Sequence, residues 1–265
     1  LRAHGVNVTD ELLANAVVSA ELALKNVVPV KKTPLDYAEA DWRAHAGEHD
    51  RSEGGILDDI FKMSGYSRFG VPRTGPVPDW CGMAVMRWLQ LGGVDTDFDT
   101  STLHTFNVES FFTYGERRNV NPRRLDTEVS FDGGKTWQKI VDWHRREGKM
   151  RRWISFRDEP DAVKKYGLDL FRPVDIVNLD WKNDGKADHI TMGRSWDGET
   201  LGLIEGNRTG KGPNGEAWRE SVVVNDYKVK GITATCEKVL TGTSVATLYG
   251  VGRLSPLDYT QALYR

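Results

Sequence analysis

Six short β-rich runs constrain this chain more than any other feature. They are Asp175–Leu179, His189–Arg194, Leu201–Ile204, Ser221–Val224, Gly231–Val239 and Ala246–Val251, and Gly, Asn and Asp punctuate the stretches between them. The first third of the chain reads differently. Leu12, Leu13, Ala16, Val17, Ala20 and Leu24 recur at helical spacing behind a capping Thr9 or Asp10, and Pro29 and Pro34 close that stretch. Residues 34–46 and 55–64 continue in the same way. A punctuated loop from Tyr66 to Pro78 then delivers the chain into a helix at Cys81 that Gly92 and Gly93 stop. Further helices are expected at 102–118 and from Trp137 to Gly148, and a hairpin over Val129–Lys139. Helices followed by an antiparallel strand set argue for an α+β fold.

With 265 residues, 39% of them hydrophobic, the chain can bury a substantial core, as one large domain or a domain with an extension. Its 36 basic and 38 acidic residues nearly cancel, so no global field favours nucleic acid or an anionic membrane. No apolar run approaches the ~20 residues that span a bilayer. Residues 1–30 lack the basic start and continuous apolar core of a signal peptide. The two cysteines, Cys81 and Cys236, are too few for a disulfide framework.

Cys81 follows the loop Pro78-Asp79-Trp80 and opens an apolar-periodic helix. A thiol at a helix N-terminus is stabilised as thiolate by the dipole and by free N–H groups. His189 begins a strand after the turn Lys182-Asn183-Asp184-Gly185. Ser195–Glu199 reads as a turn, which pairs the His189 strand with the one carrying Glu205 and Asn207. An odd-length or bulged connection places His189 opposite that acid or amide. Nucleophile, base and orienting group are then together, as thiol catalysis needs. Asp79, Trp80 and Trp196 are expected near the thiol, in contact with substrate.

Three other motifs compete. His45-x-x-Glu48-His49 matches the inverted zincin pattern, but Gly47 weakens that helix and no third ligand stands out. Ser130–Trp137 matches a single Asp-box, which reads as one hairpin turn because a propeller needs repeats. Asp180–Asp188 carries acids at the alternating positions of a calcium loop, with Lys182 in a ligand slot, and reads mainly as a turn. No cofactor is expected, and calcium at Asp180–Asp188 is the one metal left open.

The run Trp80-Cys81-Gly82-x-Ala84-Val85, then His189, then Glu205-Gly206-Asn207, resembles the CHAP family of cysteine, histidine-dependent amidohydrolases/peptidases, relatives of the NlpC-type cell-wall hydrolases. Arg172–Val177 and Leu248–Arg253 resemble that family's strand before the histidine and its closing strand. The likeness covers roughly residues 52–255. Residues 1–50 form a helical extension outside it, and residues 96–150 a long insertion. Val174 stands where the family often has Gly.

The resemblance implies a papain-like α+β domain over 51–265, with helices packed on an antiparallel sheet. It makes Cys81 the nucleophile, His189 the base, Glu205 the orienting group and Asn207 a further polar contributor. The expected partner is bacterial peptidoglycan, cut at an amide bond by a phage lysin, virion-associated enzyme or exported effector, with residues 1–50 available to an assembly partner. Two other classes remain open: a catalytically weak structural module, and another thiol acyl-transfer or deamidating enzyme.

Overall fold

The computed structural model describes residues 32–94, 128–130, 135–139, 153–237, 240, 242–253 and 263–264. The expected helices at 9–28 and 102–118 lie outside them, as does the one at 137–148 from residue 140 on; its start is not helical, since Gln138 and Lys139 are in a strand. The chain divides into two compact units, Leu1–Lys32 and Thr33–Arg265, so residues 33–50 belong to the larger one.

The larger unit is mostly β. After α1 (Pro34–Arg43), α2 (Ile56–Met63) and α3 (Cys81–Leu91), a hairpin pairs β1 (Glu128–Ser130) with β2 (Gln138–Lys139), as expected for Val129–Lys139. Next come β3 (Trp153–Ser155), α4 (Ala162–Tyr166), β4 (Ile176–Asp180), β5 (His189–Trp196), β6 (Thr200–Lys211), β7 (Ala217–Lys230), β8 (Thr233–Glu237) and β9 (Thr243–Gly252). The short β10 (Leu263–Tyr264) adds to the β1–β2 hairpin. Strands β4 to β9 correspond to the six β-rich runs.

The expectation of a papain-like α+β fold is overturned. Strands β4 to β8 pair in sequence order, and β9 pairs with both β8 (Ala234↔Ala246) and β4 (Val177↔Val251). The six strands therefore close into an antiparallel barrel, with β3 added to the free part of β9. The described residues contain only four short α-helices. Closure gives the described residues two cores. Val177, Leu179, Leu201, Leu203, Tyr227, Ala234, Ala246 and Leu248 fill the interior. The alternate residues Ile176, Ile190, Met192, Ile204, Val222 and Val224 face outward and pack against α1–α3. Side chains alternate across a strand, so both faces of the same strands are apolar for different reasons.

The helices are fixed by polar devices. Thr33 caps α1 in a capping box with Asp36, and Pro34 takes its first turn. Buried Asp41 accepts hydrogen bonds from Trp88 Nε1 (2.8 Å) and from Arg87, tying α1 to α3. Buried Asp58 collects the N–H groups of Gly54 and Val71 and the side chains of Lys62 and Arg73. Those partners outweigh the cost of burial and hold its pKa at about 2. Val174 has φ +76, a region open to Gly without penalty, and its side chain is buried in the helix-side core.

The seat of α3 on the barrel depends on Gly206. A Cβ there would lie 2.6 Å from Ala84 Cβ and 3.0 Å from the Trp80 ring. Gly206→Val should therefore cost about 1–3 kcal/mol through overpacking. Because the helix that carries Cys81 is pushed off β6, thiol reactivity should fall along with the melting temperature. Unchanged alkylation of Cys81 in a destabilised Gly206→Val protein would show that the two are uncoupled.

Candidate active site

Cys81 is the first residue of α3 and is half-buried. No side chain caps this helix, so the N–H groups of its first turn are not taken by a capping residue. The sulfur lies against His189 and receives the backbone N–H groups of Ile190 and Gly82. Burial opposes ionisation of the thiol. The hydrogen bond to His189, its charge and the two N–H groups outweigh that penalty and hold the pKa below the ordinary value. Cys236 is the opposite case: burial and the nearby Glu205 charge push it up to about 11.

His189 starts β5 opposite Leu179, on the strand face that points into the barrel. Its Nε2 lies 2.8 Å from Glu205 Oε2, which leaves Nδ1 as the ring nitrogen for the sulfur. Burial disfavours the imidazolium, but the hydrogen bonds and charges of Cys81 and Glu205 prevail and raise its pKa to about 9. The expected irregularity in the β5–β6 pairing is present: the register shifts between Gly193 and Ser195. Past that shift His189 lies diagonal to Glu205, within reach of a long side chain.

Glu205 is fully buried in the barrel. Its Oε1 accepts hydrogen bonds from Asn225 Nδ2 and Tyr227 Oη, both 2.8 Å, leaving Oε2 to His189. Burial would raise this carboxyl. His189, the Arg208 charge and the Asn225 hydrogen bond hold it below the usual carboxylate range. Asn225 and Tyr227 were not anticipated. The signal available was a pair of polar-tipped residues two apart on the inward face of β7, where apolar side chains are the rule.

Asn207 does not join this group. A bulge shifts the β6–β7 register between Glu205 and Arg208, and Asn207 adopts φ +57. Strand alternation is broken there, and among the described residues Asn207 makes no hydrogen bond to His189 or Glu205. Asn207 Nδ2 instead donates to Asp79 Oδ1 at 3.1 Å, bracing the loop before the cysteine. Trp80 is buried, packed on Gly206, with Nε1 donating to Glu48 Oε1 at 3.2 Å. Trp196 lies at the far end of β5, roughly 23 Å along the strand from His189, and donates Nε1 to the Gly167 carbonyl. Asp79 and Trp80 thus support the thiol from behind, and Trp196 belongs to another part of the barrel.

The competing motifs have other partners. His45 stacks on Trp218 at 3.7 Å, and the Glu48 carboxylate is engaged by Trp80 and Arg51. Asp180 receives the N–H groups of Asp184 and Gly185, and Asp188 those of Trp181 and Lys182. Among the described residues no cluster of three or more His, Cys, Asp or Glu side chains is placed to hold a metal. No helix there is long and apolar enough to cross a membrane.

No protein-family model, curated protein or solved structure matches the chain. The class of site is therefore defined by its geometry: a thiol at an uncapped helix start, an imidazole against it, and a buried carboxylate that orients the ring. That is the arrangement of a cysteine nucleophile activated by a general base.

Two outcomes follow. Alkylation by iodoacetamide at pH 7 should select Cys81 over Cys236 by at least tenfold, and His189→Ala should move the Cys81 profile to higher pH; equal rates at both cysteines would refute the assignment. Tyr227→Phe and Asn225→Ala each remove one donor from Glu205. Either should lower turnover by about tenfold while Cys81 remains alkylatable, read from steady-state rates beside alkylation rates.

Proposed function

We propose that this chain is a cysteine hydrolase of CHAP type that cleaves an amide bond of bacterial peptidoglycan, acting on the cell wall outside the cytoplasm or during phage release. The observation that carries the hydrolytic part is the Cys81–His189–Glu205 relay, with Glu205 held by two further donors. The choice of substrate rests on the sequence motifs around those three residues.

In this reading the Cys81 thiolate attacks the amide carbonyl carbon. The oxyanion that forms is met by the backbone N–H at the start of α3, which has no side-chain cap. His189, protonated, gives its proton to the leaving amine, and the C–N bond breaks to leave a thioester on Cys81. A water molecule then loses a proton to His189 and attacks the thioester. The acid product leaves, and the thiolate–imidazolium pair is restored. Glu205 keeps the ring oriented and stabilises its charge throughout, without taking the proton.

The working form is the ion pair, present from the lowered pKa of Cys81 up to the raised pKa of His189. Activity should rise with pH as the thiolate forms and fall as His189 deprotonates near pH 9. The two limbs belong to the coupled pair rather than to either residue.

The direct test is turnover of purified cell walls followed by mass spectrometry of the products. New amino termini or free muramoyl lactyl groups, lost in Cys81→Ala and His189→Ala by on the order of a thousandfold or more, are the expected result. Products joined to an added amine, or deamidated side chains with intact walls, would instead identify a thiol acyl-transfer or deamidating enzyme. No turnover of any of these substrates, with Cys81 unreactive, would leave a structural module.

A further inference from the structure

A cleft of about 480 Å³ adjoins the partners of Glu205, lined by Asn207, Arg208, Arg219, Glu220, Asn225 and Tyr227 among others. Asn225 and Tyr227 are the two donors that hold Glu205, so one wall of the cleft is the back of the relay. Asn207 forms another wall, and its bond to Asp79 places that wall beside the loop entering Cys81. The volume is in the range of small-ligand sites, about 300–1,000 Å³.

The unusual group in this cleft is Arg208. Its guanidinium carbon lies over the Trp181 ring, 4.1 Å from the centroid, and its Nε is 3.9 Å from Glu205 Oε2, beyond hydrogen-bond range. Nε is buried without a hydrogen-bond partner, and no hydrogen bond of this guanidinium is formed among the described residues. Nε is closed to solvent, so a ligand in the cleft meets the terminal nitrogens of this side chain, which is 27% exposed. The contact with Trp181 restricts the side chain, which presents a planar fork of donors. Arg219, on the same wall, adds a second guanidinium.

We infer that this cleft is a substrate subsite for a carboxylate, with Arg208 as its anchor and Arg219 as a second contact. The inference rests on the hydrolase reading above and names the substrate class: an amide whose flanking residue bears a free carboxyl group. A planar carboxylate matches the fork of a guanidinium in a bidentate pair. Glu220 on the wall disfavours a dianion such as a phosphate monoester, which it repels more strongly than a single carboxylate. The Glu205 charge does not oppose binding to the same extent, because His189 neutralises it within the relay.

The test uses the full chain carrying Cys81→Ala, so that ligand is bound and not consumed. Soluble muropeptides are prepared in two forms, with carboxyl groups free or converted to amides, and titrated by calorimetry. The free form should bind at least tenfold more tightly. Arg208→Gln on the same background should remove that preference, and Arg219→Gln should reduce it. Equal affinity for the two forms overturns the subsite, as does a preference that survives Arg208→Gln unchanged. The comparison of the two ligand forms needs no variant of Arg208, so a poorly folded Arg208→Gln protein does not rescue the idea. Binding of neither form also overturns it, and digestion of walls by the unsubstituted protein would then leave the hydrolase reading standing. Failure of digestion alone overturns the hydrolase reading and not the carboxylate site.

Discussion

One buried carboxylate organises the active region. Glu205 is fully buried inside a barrel whose interior is mostly apolar. An unpaired charge there would cost several kcal/mol or more. Each neighbour that removes this penalty is fixed in place by doing so: Asn225 and Tyr227 on one oxygen, His189 on the other, and the Arg208 charge alongside. The imidazole is thereby oriented, and its second nitrogen is left to Cys81.

That thiol comes from a different layer. Cys81 belongs to the helices packed on the outside of the barrel, whereas Glu205 and His189 face its interior. They meet because His189 is the first residue of its strand, at the rim where inside and outside cores adjoin. The approach of α3 to that rim is set by Gly206 against Ala84 and Trp80. The Asp41 tether to Arg87 and Trp88 holds the same helix from its other side. Glu205, Gly206 and Asn207 thus serve three purposes in three successive residues: a buried charge, a close helix contact, and a brace on the cysteine loop through Asp79.

The bulge at Asn207 matters for the same reason. In a regular strand Asn207 would follow Glu205 into the barrel and add a second polar group to be satisfied there. The positive φ at Asn207 turns it out of that alternation, so that β6 presents Arg208 and Asn207 to the cleft and Glu205 to the relay.

Much of the site was legible in the sequence by itself. A cysteine after a Pro-rich loop and before an apolar-periodic run marks a helix N-terminus, and two β-rich runs around a turn mark a hairpin; both are local signals, and they correctly brought Cys81, His189 and Glu205 into one reading. The strand runs and α1 to α3 were legible for the same reason, since the period of apolar residues is written locally. What the sequence did not contain was closure. Alternating strands read alike whether the last pairs with nothing or with the first, so the six runs suggested a sheet under helices where the tertiary structure forms a barrel with its own core. The partners of Glu205 were hidden likewise, because Asn225 and Tyr227 are about 20 residues away along the chain and become its neighbours only through the β6–β7 register. Which side of a strand Asn207 occupies was decided by a bulge, a backbone choice made by packing and not by pattern.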